Sequence, residues 1–230
     1  AARNLGVQAN VVVPVSTPQI KKNSIRALGA NLLEIGATYD ESFVSACELA
    51  EKEQLFYVHP TSDRYTVGGQ GTISLEILDQ YPQVEQILVP IGGGGLITGI
   101  ALTMKTLKPS VRVYGVMPEG SAVYAESRRQ GRLVTLEHCA SMADAVVRKT
   151  GEEYLYPYIE KYVDDIFTVS EDGIRQAVRT ACLYGKLTLE GSGALALADL
   201  LEKICQPRPG TVLICSGGNI DKAVLDMCMN

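Results

Sequence analysis

Two hydrophobic periods alternate along this chain. Short apolar runs closed by turn residues predict strands, while stretches with apolar residues about every three to four positions predict helices. In the first part, strands are expected at residues 11–15, 32–35 and 55–58. A helix opens at Ser16-Thr17-Pro18 and ends at Gly29, and another covers about 40–53. Residues 1–6 read as the last turn of a helix closing at Gly6. Further on, Gly68-Gly69-Gln70-Gly71-Thr72 leads into a helix over 73–80. Strands follow at 86–91, 111–116, 166–169 and 211–215, with helices at 96–107, 122–130, 152–162, 173–184 and 190–204. Regular strand-helix alternation predicts an α/β protein with largely parallel sheets. The pattern divides into a βαβαβ piece over residues 1–58 and a larger piece over 59–230.

The strand at 86–91 runs directly into Gly92-Gly93-Gly94-Gly95 and then into the apolar helix that Leu96 opens. Four residues without side chains leave their N–H groups free to wrap a small anion. The helix adds its unpaired first-turn donors and the positive end of its dipole. No Lys-Ser or Lys-Thr pair follows, and GxGxxG spacing is absent, so neither a nucleoside triphosphate nor a dinucleotide is indicated. A single phosphate group, free or at the end of a cofactor, is the natural guest.

Composition narrows the partners. The chain has 230 residues, 46% hydrophobic and 20% charged, an ordinary globular balance that allows a sizeable core. Net charge is −5 with no Lys/Arg block, which argues against nucleic acid. Six cysteines are scattered without a CxxC pair, and only His59 and His138 accompany them, so a zinc site has no support. Cysteines placed within apolar patterns suit buried thiols in a reducing cytosol, and no signal peptide is visible. The uncharged stretch between Glu85 and Lys105 is broken by Pro90 and the glycines, so it is read as a strand and a helix and not as a membrane span.

Three places fall where an open parallel sheet presents ligands, at the carboxyl ends of strands. They are Gly92 to Gly95, Ser216-Gly217-Gly218-Asn219, and the region from His59 to Gly71 that joins the two pieces. Ser216 is a hydroxyl suited to meet a ligand ring atom, or a turn serine. Glu190 precedes Gly191-Ser192-Gly193 and reads as a ligand contact or as a carboxylate at a helix start. His59 before Pro60 reads as a strand-end hydrogen-bonding residue, and Asp164-Asp165 as a solvated turn. Tyr154, Tyr156, Tyr158 and Tyr162 read as packing and rim residues. GxSxG does not occur, and no cysteine has an evident histidine partner, so no hydrolase arrangement is visible. A phosphate cradle, a hydroxyl some way off and a cleft between two pieces together suit pyridoxal phosphate.

These segments closely resemble the fold-type II pyridoxal-phosphate enzymes of the threonine dehydratase and serine racemase group. The resemblance is carried, in family order, by Val12-Val13-Pro14, Thr17-Pro18-Gln19-Ile20-Lys21, Ala27-Leu28-Gly29-Ala30, His59-Pro60, Gly69-Gln70-Gly71-Thr72 and Val89 to Leu96. It continues through Val163-Asp164-Asp165-Ile166, Glu190 to Leu195, and Ser216-Gly217-Gly218-Asn219-Ile220-Asp221. It implies a three-layer α/β fold of open, mostly parallel sheets, like the tryptophan synthase β chain. It implies pyridoxal 5'-phosphate as cofactor, with Gly92, Gly93, Gly94, Gly95 and Leu96 on its phosphate and Ser216 facing its ring nitrogen. Gly217, Ala145 and Glu190 complete the implied cofactor-binding set. A neutral hydroxyl makes the ring a weaker electron sink than an aspartate would, so a carbanion at Cα expels its β-hydroxyl. The implied reaction is α-proton removal by a lysine amine, β-elimination of water, and hydrolysis of the enamine to a 2-oxo acid and ammonia.

The departures carry as much. The family's Schiff-base lysine sits in a Ser-Phe-Lys type motif near its N-terminus, before a Ser-Gly-Asn-His type loop, and neither motif occurs here. The chain is therefore expected to be an N-terminally incomplete fragment with no catalytic residue of its own and no turnover alone. A divalent-cation site is not expected, because Met117 and Val123 stand where acidic ligands would be, with Glu119 one position off. Ala143-Asp144-Ala145 replaces an Ala-Asp-Gly motif, so the Ala145 methyl either crowds the cofactor edge or forbids a positive φ. The expected activity is a cytoplasmic ammonia-lyase for L-threonine or L-serine, with a small amino acid as partner and a homo-oligomer as a family habit. Serine racemisation or 3-hydroxyaspartate dehydration would use the same residues, and a cysteine-synthase-like β-replacement is a weaker alternative. From another class, a phosphate-ligand binding or interaction domain that has lost its lysine remains open.

Overall fold

Every strand pairs with its neighbours in parallel, as expected where helices carry the chain back between strands. The computed structural model describes residues 1–230, apart from the side chain of Asp40. They separate into two units, Ala1–Val58 and His59–Asn230.

The first unit runs α1 (Ala2–Leu5), β1 (Asn10–Val13), α2 (Gln19–Ala27), β2 (Asn31–Glu34) and α3 (Tyr39–Lys52). The expected closing turn is there, with Gly6 at φ 67°. Strands β1 and β2 form a two-stranded sheet in register from Asn10 with Asn31 to Val13 with Glu34. Two expectations fail. Residues 55–58 form no strand, because an apolar run becomes a strand only with a ladder partner, and none adjoins it among the described residues. The unit is αβαβα and not βαβαβ. Ser16 and Thr17 do not cap α2 either. The Pro18 carbonyl accepts from Lys21 and Lys22 N–H (3.0 and 3.2 Å), and Ser16 Oγ reaches back to Ala37 O at 3.3 Å. The buried residues here are polar. Lys22 Nζ donates to Val15 O (2.6 Å) and Glu34 Oε2 (2.8 Å), and Ser42 Oγ lies 2.6 Å from Ile35 O.

The second unit contains α4 (Arg64–Gln80), β3 (Gln86–Pro90), α5 (Gly95–Leu107), β4 (Arg112–Pro118), α6 (Val123–Gln130) and α7 (Tyr156–Tyr162). It continues with β5 (Asp165–Val169), α8 (Glu171–Thr180), α9 (Leu195–Glu202), β6 (Thr211–Leu213) and α10 (Lys222–Met229). Single tighter turns lie at Glu119–Ser121, Asp144–Val146 and Gly191–Ala194, and a π-helical turn at Ala181–Gly185 extends α8. Helix α10 was not foreseen. Asp221 Oδ1 caps it by accepting from Ala223 N–H at 2.8 Å.

The sheet order is β5-β4-β3-β6, and β3 is buried along its whole length, as a central parallel strand should be. Side chains alternate between two cores, one on each face. Ile87, Val89, Val113 and Met117 pack into one with α4 to α7, while Leu88, Val116 and Val169 enter the other with α8 to α10. This is a three-layer arrangement.

The glycines at 68–71 do not form a loop before a helix. Helix α4 starts earlier, at an Asp63 cap that accepts from Tyr65 and Thr66 N–H (2.8 and 3.1 Å), and runs straight through them. Gly71 serves close packing, while a Cβ on Gly68 or Gly69 would meet open space. A Cβ on Gly99 of α5 would overlap Val67 O and lie 2.7 Å from Gly71 N. Asp164 is no solvated turn residue. Only 13% of its side chain is exposed, against Lys105 Nζ at 2.6 Å, Arg112 Nη1 at 2.7 Å and Val113 N–H at 2.8 Å. Burial pushes its carboxyl up, but these three partners together outweigh burial and hold it below the usual range. No helix among the described residues is long and apolar enough to cross a membrane.

Candidate functional site

Strand β3 ends at Pro90, and Ile91 keeps the chain on the sheet by donating its N–H to Val116 O at 2.9 Å. The glycines then turn across the carboxyl edge and start α5. Gly94 makes this possible with φ 94°, a left-handed conformation costly for any residue with a Cβ. The turn is also too crowded for side chains. A Cβ on Gly93 would lie 2.7 Å from Thr61 Cγ2. One on Gly94 would lie 2.8 Å from Ile159 Cδ1, and one on Gly95 2.8 Å from Thr61 O. Among the described residues, no acceptor receives the N–H groups of Gly92, Gly93, Gly94, Gly95 or Leu96. Several donors at the positive end of a helix dipole are therefore left without a protein acceptor.

Thr61 is set beneath this turn by His59. The imidazole Nδ1 accepts from Thr61 N–H (3.1 Å) and Ser62 N–H (2.7 Å), so the histidine is the hydrogen-bonding residue expected, although no strand ends there. Deeper still, Tyr124 of α6 is fully buried. Its hydroxyl donates to Gly93 O at 3.0 Å and accepts from Glu152 N–H at 2.8 Å. Burial pushes this phenol well above its ordinary value, so it stays a donor at any working pH.

The opposite side is built on β6. Ile214 N–H donates to Leu88 O at 3.0 Å, after which the chain leaves the sheet through Cys215 and Ser216. Gly217 has φ 77°, and a Cβ there would overlap Glu190 Oε1, so the carboxyl lies directly against this turn. Glu190 N–H also donates to Gly217 O at 3.2 Å. The following turn ties in the third segment, where Ser192 Oγ accepts from Ala145 N–H at 3.1 Å. Ser216 is half-buried, and its hydroxyl has no protein partner among the described residues.

These segments enclose one cavity of about 250 Å³. Gly92, Gly93, Gly94, Gly95, Leu96, Ala145, Glu190, Ser216 and Gly217 all line it, so every site residue named from sequence is brought together. Pro60, Thr61, Gln70, Pro90, Val146 and Ser192 line it as well. Four of these six lie inside motifs already singled out. Thr61 and Val146 carried no signal beyond adjacency to His59-Pro60 and to Ala145. Ala145 itself has no positive φ, so its methyl meets no backbone prohibition. Glu190 is the one ionisable residue on the lining, and no lysine is there among the described residues. Met117 and Val123 are buried in apolar core and Glu119 is exposed.

Comparison with known proteins places this geometry in context. The family described as pyridoxal-phosphate dependent enzyme matches residues 1–217. L-threonine ammonia-lyase of Thermotoga maritima is 35% identical over 230 residues, which are 100% of this chain and 57% of that protein. Maize serine racemase superposes with a TM-score of 0.91 at 32% identity, over 99% of this chain and 71% of that one. The processed form of threonine deaminase isoform 2 from Solanum lycopersicum superposes with a TM-score of 0.90 at 35% identity, over 98% and 67% respectively. The chain spans about half the length of the first curated relatives that it matches, 57% and 54%.

Proposed function

Because this chain belongs to the pyridoxal-phosphate dependent enzyme family, we propose that the turn after β3 holds the phosphate end of pyridoxal 5'-phosphate. We further propose that the whole protein is an ammonia-lyase that converts L-threonine or L-serine to a 2-oxo acid and ammonia. One observation carries the reading: a glycine turn with unclaimed N–H groups shares a single cavity with the free hydroxyl of Ser216. The residues present fit the group. The turn has no room for a Cβ and is left as bare backbone, and its N–H groups have no protein acceptor among the described residues.

Bound there, the cofactor supplies an electron sink for a carbanion at the substrate Cα. The amides of Gly92 to Leu96 bind and orient the phosphate. Ser216 offers the ring nitrogen a neutral hydroxyl, which withholds the full positive charge an aspartate partner would maintain and so favours loss of a β-hydroxyl. Glu190, Gly217 and Ala145 complete the walls beside it. Proton removal at Cα needs an amine base, and no residue on the lining provides one. The purified chain is therefore expected to bind the cofactor without deaminating threonine.

The amino-acid substrate, a homo-oligomeric assembly and a cytoplasmic setting belong to the same proposal. The last is supported by six cysteines in no disulfide. The absence of a lysine favours a second reading, a phosphate-ligand binding domain without catalysis. Equilibrium dialysis against pyridoxal 5'-phosphate tests the first step, and failure to bind removes the assignment. Adding a lysine-bearing N-terminal segment of the family's kind should then restore 2-oxobutanoate release from L-threonine. Continued inactivity with the cofactor bound selects the second reading. Chiral analysis of serine separates racemisation from dehydration.

A further inference from the structure

The Gly93 carbonyl is held from beneath by a side chain that does not line the cavity. Tyr124 donates to Gly93 O at 3.0 Å and is itself fixed by Glu152 N–H at 2.8 Å. Its hydroxyl has one donor and one acceptor role in use, and its ring has no freedom. A Cβ on Gly151 would lie 2.7 Å from Tyr124 Cε1 and Cζ, so backbone covers the ring.

A trans peptide is planar, with its C=O and the next N–H pointing in opposite directions. Holding Gly93 O toward the buried phenol turns the Gly94 N–H the other way, toward the cavity that Gly93 and Gly94 line. Among the described residues no other hydrogen bond holds the Gly93 carbonyl, and neither flanking glycine has a side chain of its own to fix the plane. Gly94, at φ 94°, is the residue best able to swing.

We propose that Tyr124 is a positioning residue for anion binding, which aims the Gly94 N–H at the phosphate by holding the Gly93 carbonyl from behind. The inference rests on the cofactor reading above and extends it to a residue that touches neither phosphate nor ring. Thr61 assists from the side: its methyl packs under Gly93, and its hydroxyl donates to Glu152 Oε1 at 3.2 Å, the residue whose N–H anchors the phenol.

The test compares the unaltered chain with Tyr124→Phe, which keeps the ring and removes only the hydroxyl. Three probes are used: pyridoxal 5'-phosphate, inorganic phosphate, and pyridoxal without the phosphate. Affinity for both phosphate probes should fall about five- to thirtyfold, as for loss of one well-placed donor, while pyridoxal binding stays unchanged. Saturating inorganic phosphate should protect the Gly94 amide from hydrogen exchange less in the variant than in the unaltered chain. A folded Tyr124→Phe chain that binds phosphate probes as tightly as the unaltered one overturns the inference and leaves the cofactor reading intact. No phosphate binding by the unaltered chain overturns both. If the variant does not fold, the unaltered chain still decides by hydrogen exchange: saturating inorganic phosphate should protect the Gly94 amide, and protection of the turn that spares Gly94 overturns the inference.

Discussion

The wall after β3 and the wall after β6 both present backbone at the carboxyl end of a parallel strand, yet they are held in different ways. The first is clamped from below by Tyr124, Thr61 and Ile159, with its donors turned outward and without side chains of its own. The second is held from the side, by Glu190 against Gly217 and by the Gly191–Ala194 turn against Ser216, and it offers one side-chain hydroxyl. A rigid amide cradle selects for a charge and a shape. A single hydroxyl on an accessible turn selects weakly for energy but can tune a ring electronically. Under the proposed cofactor reading, the difference gives affinity to one wall and reaction type to the other.

The strongest test of that division attacks the second wall without touching its hydroxyl. A Cβ on Gly193 would overlap the Ser216 carbonyl oxygen, a backbone atom that cannot step aside. Gly193→Ala is expected to cost more than about 3 kcal/mol of stability, read as a lower midpoint in urea. If the loss stays local, inorganic phosphate should still bind at the first wall.

The next effect lies in α9, which the Gly191–Ala194 turn leads into. Asp199 is completely buried, with Oδ1 accepting from Cys205 N–H at 3.1 Å and no hydrogen bond to Oδ2. Burial raises its carboxyl from 3.8 to about 6. A folded-state value above the unfolded one means that the folded chain binds more protons between about pH 4 and 6. Stability from this group is intact below that window and is lost as pH rises through it. Asp199→Asn should therefore match the parent near pH 4 and exceed it by on the order of 3 kcal/mol above pH 6. Thermal unfolding at both pH values checks this, and an equal gain at pH 4 refutes the titration.

A smaller effect probes the first wall. Gly94→Ala places a Cβ in a left-handed conformation, against the flexible end of Ile159 and the Tyr124 hydroxyl. The cost should be about 1–2 kcal/mol in stability, with roughly tenfold weaker phosphate binding if one cradle donor is lost. Comparable losses for pyridoxal, which lacks the phosphate, would contradict the assignment of affinity to this wall.

What the sequence made legible follows from how local each cause is. Gly92 to Gly95 could be read because strand, glycines and helix are consecutive, so the cradle is a property of one short segment. Ser216 and Glu190 were readable for the same reason, each at the mouth of its own element. Gly71 misled because its cause is not local. It lies where α4 meets α5 at Gly99, and a helix interior with glycines looks like a loop until its partner is known. Asp164 looked solvated because Lys105 and Arg112 are distant in sequence. Tyr124 was invisible in the same way, since nothing in α6 reveals that its phenol reaches a carbonyl of the turn after β3.

Ser216→Ala is the mildest change and the most discriminating one. The hydroxyl has no protein partner among the described residues, so its removal leaves no orphaned group, and stability should shift by less than about 0.5 kcal/mol. Inorganic phosphate, which needs only the first wall, should bind as before. Pyridoxal 5'-phosphate should lose about three- to tenfold, the share of one neutral hydrogen bond. Ser216→Asp should instead leave a carboxylate at the ring and raise the pH at which the bound cofactor's nitrogen titrates, visible in its absorbance. A Ser216→Ala chain that loses inorganic phosphate as severely as cofactor would mean that the two walls are one cooperative unit, and the separation of affinity from tuning would fail.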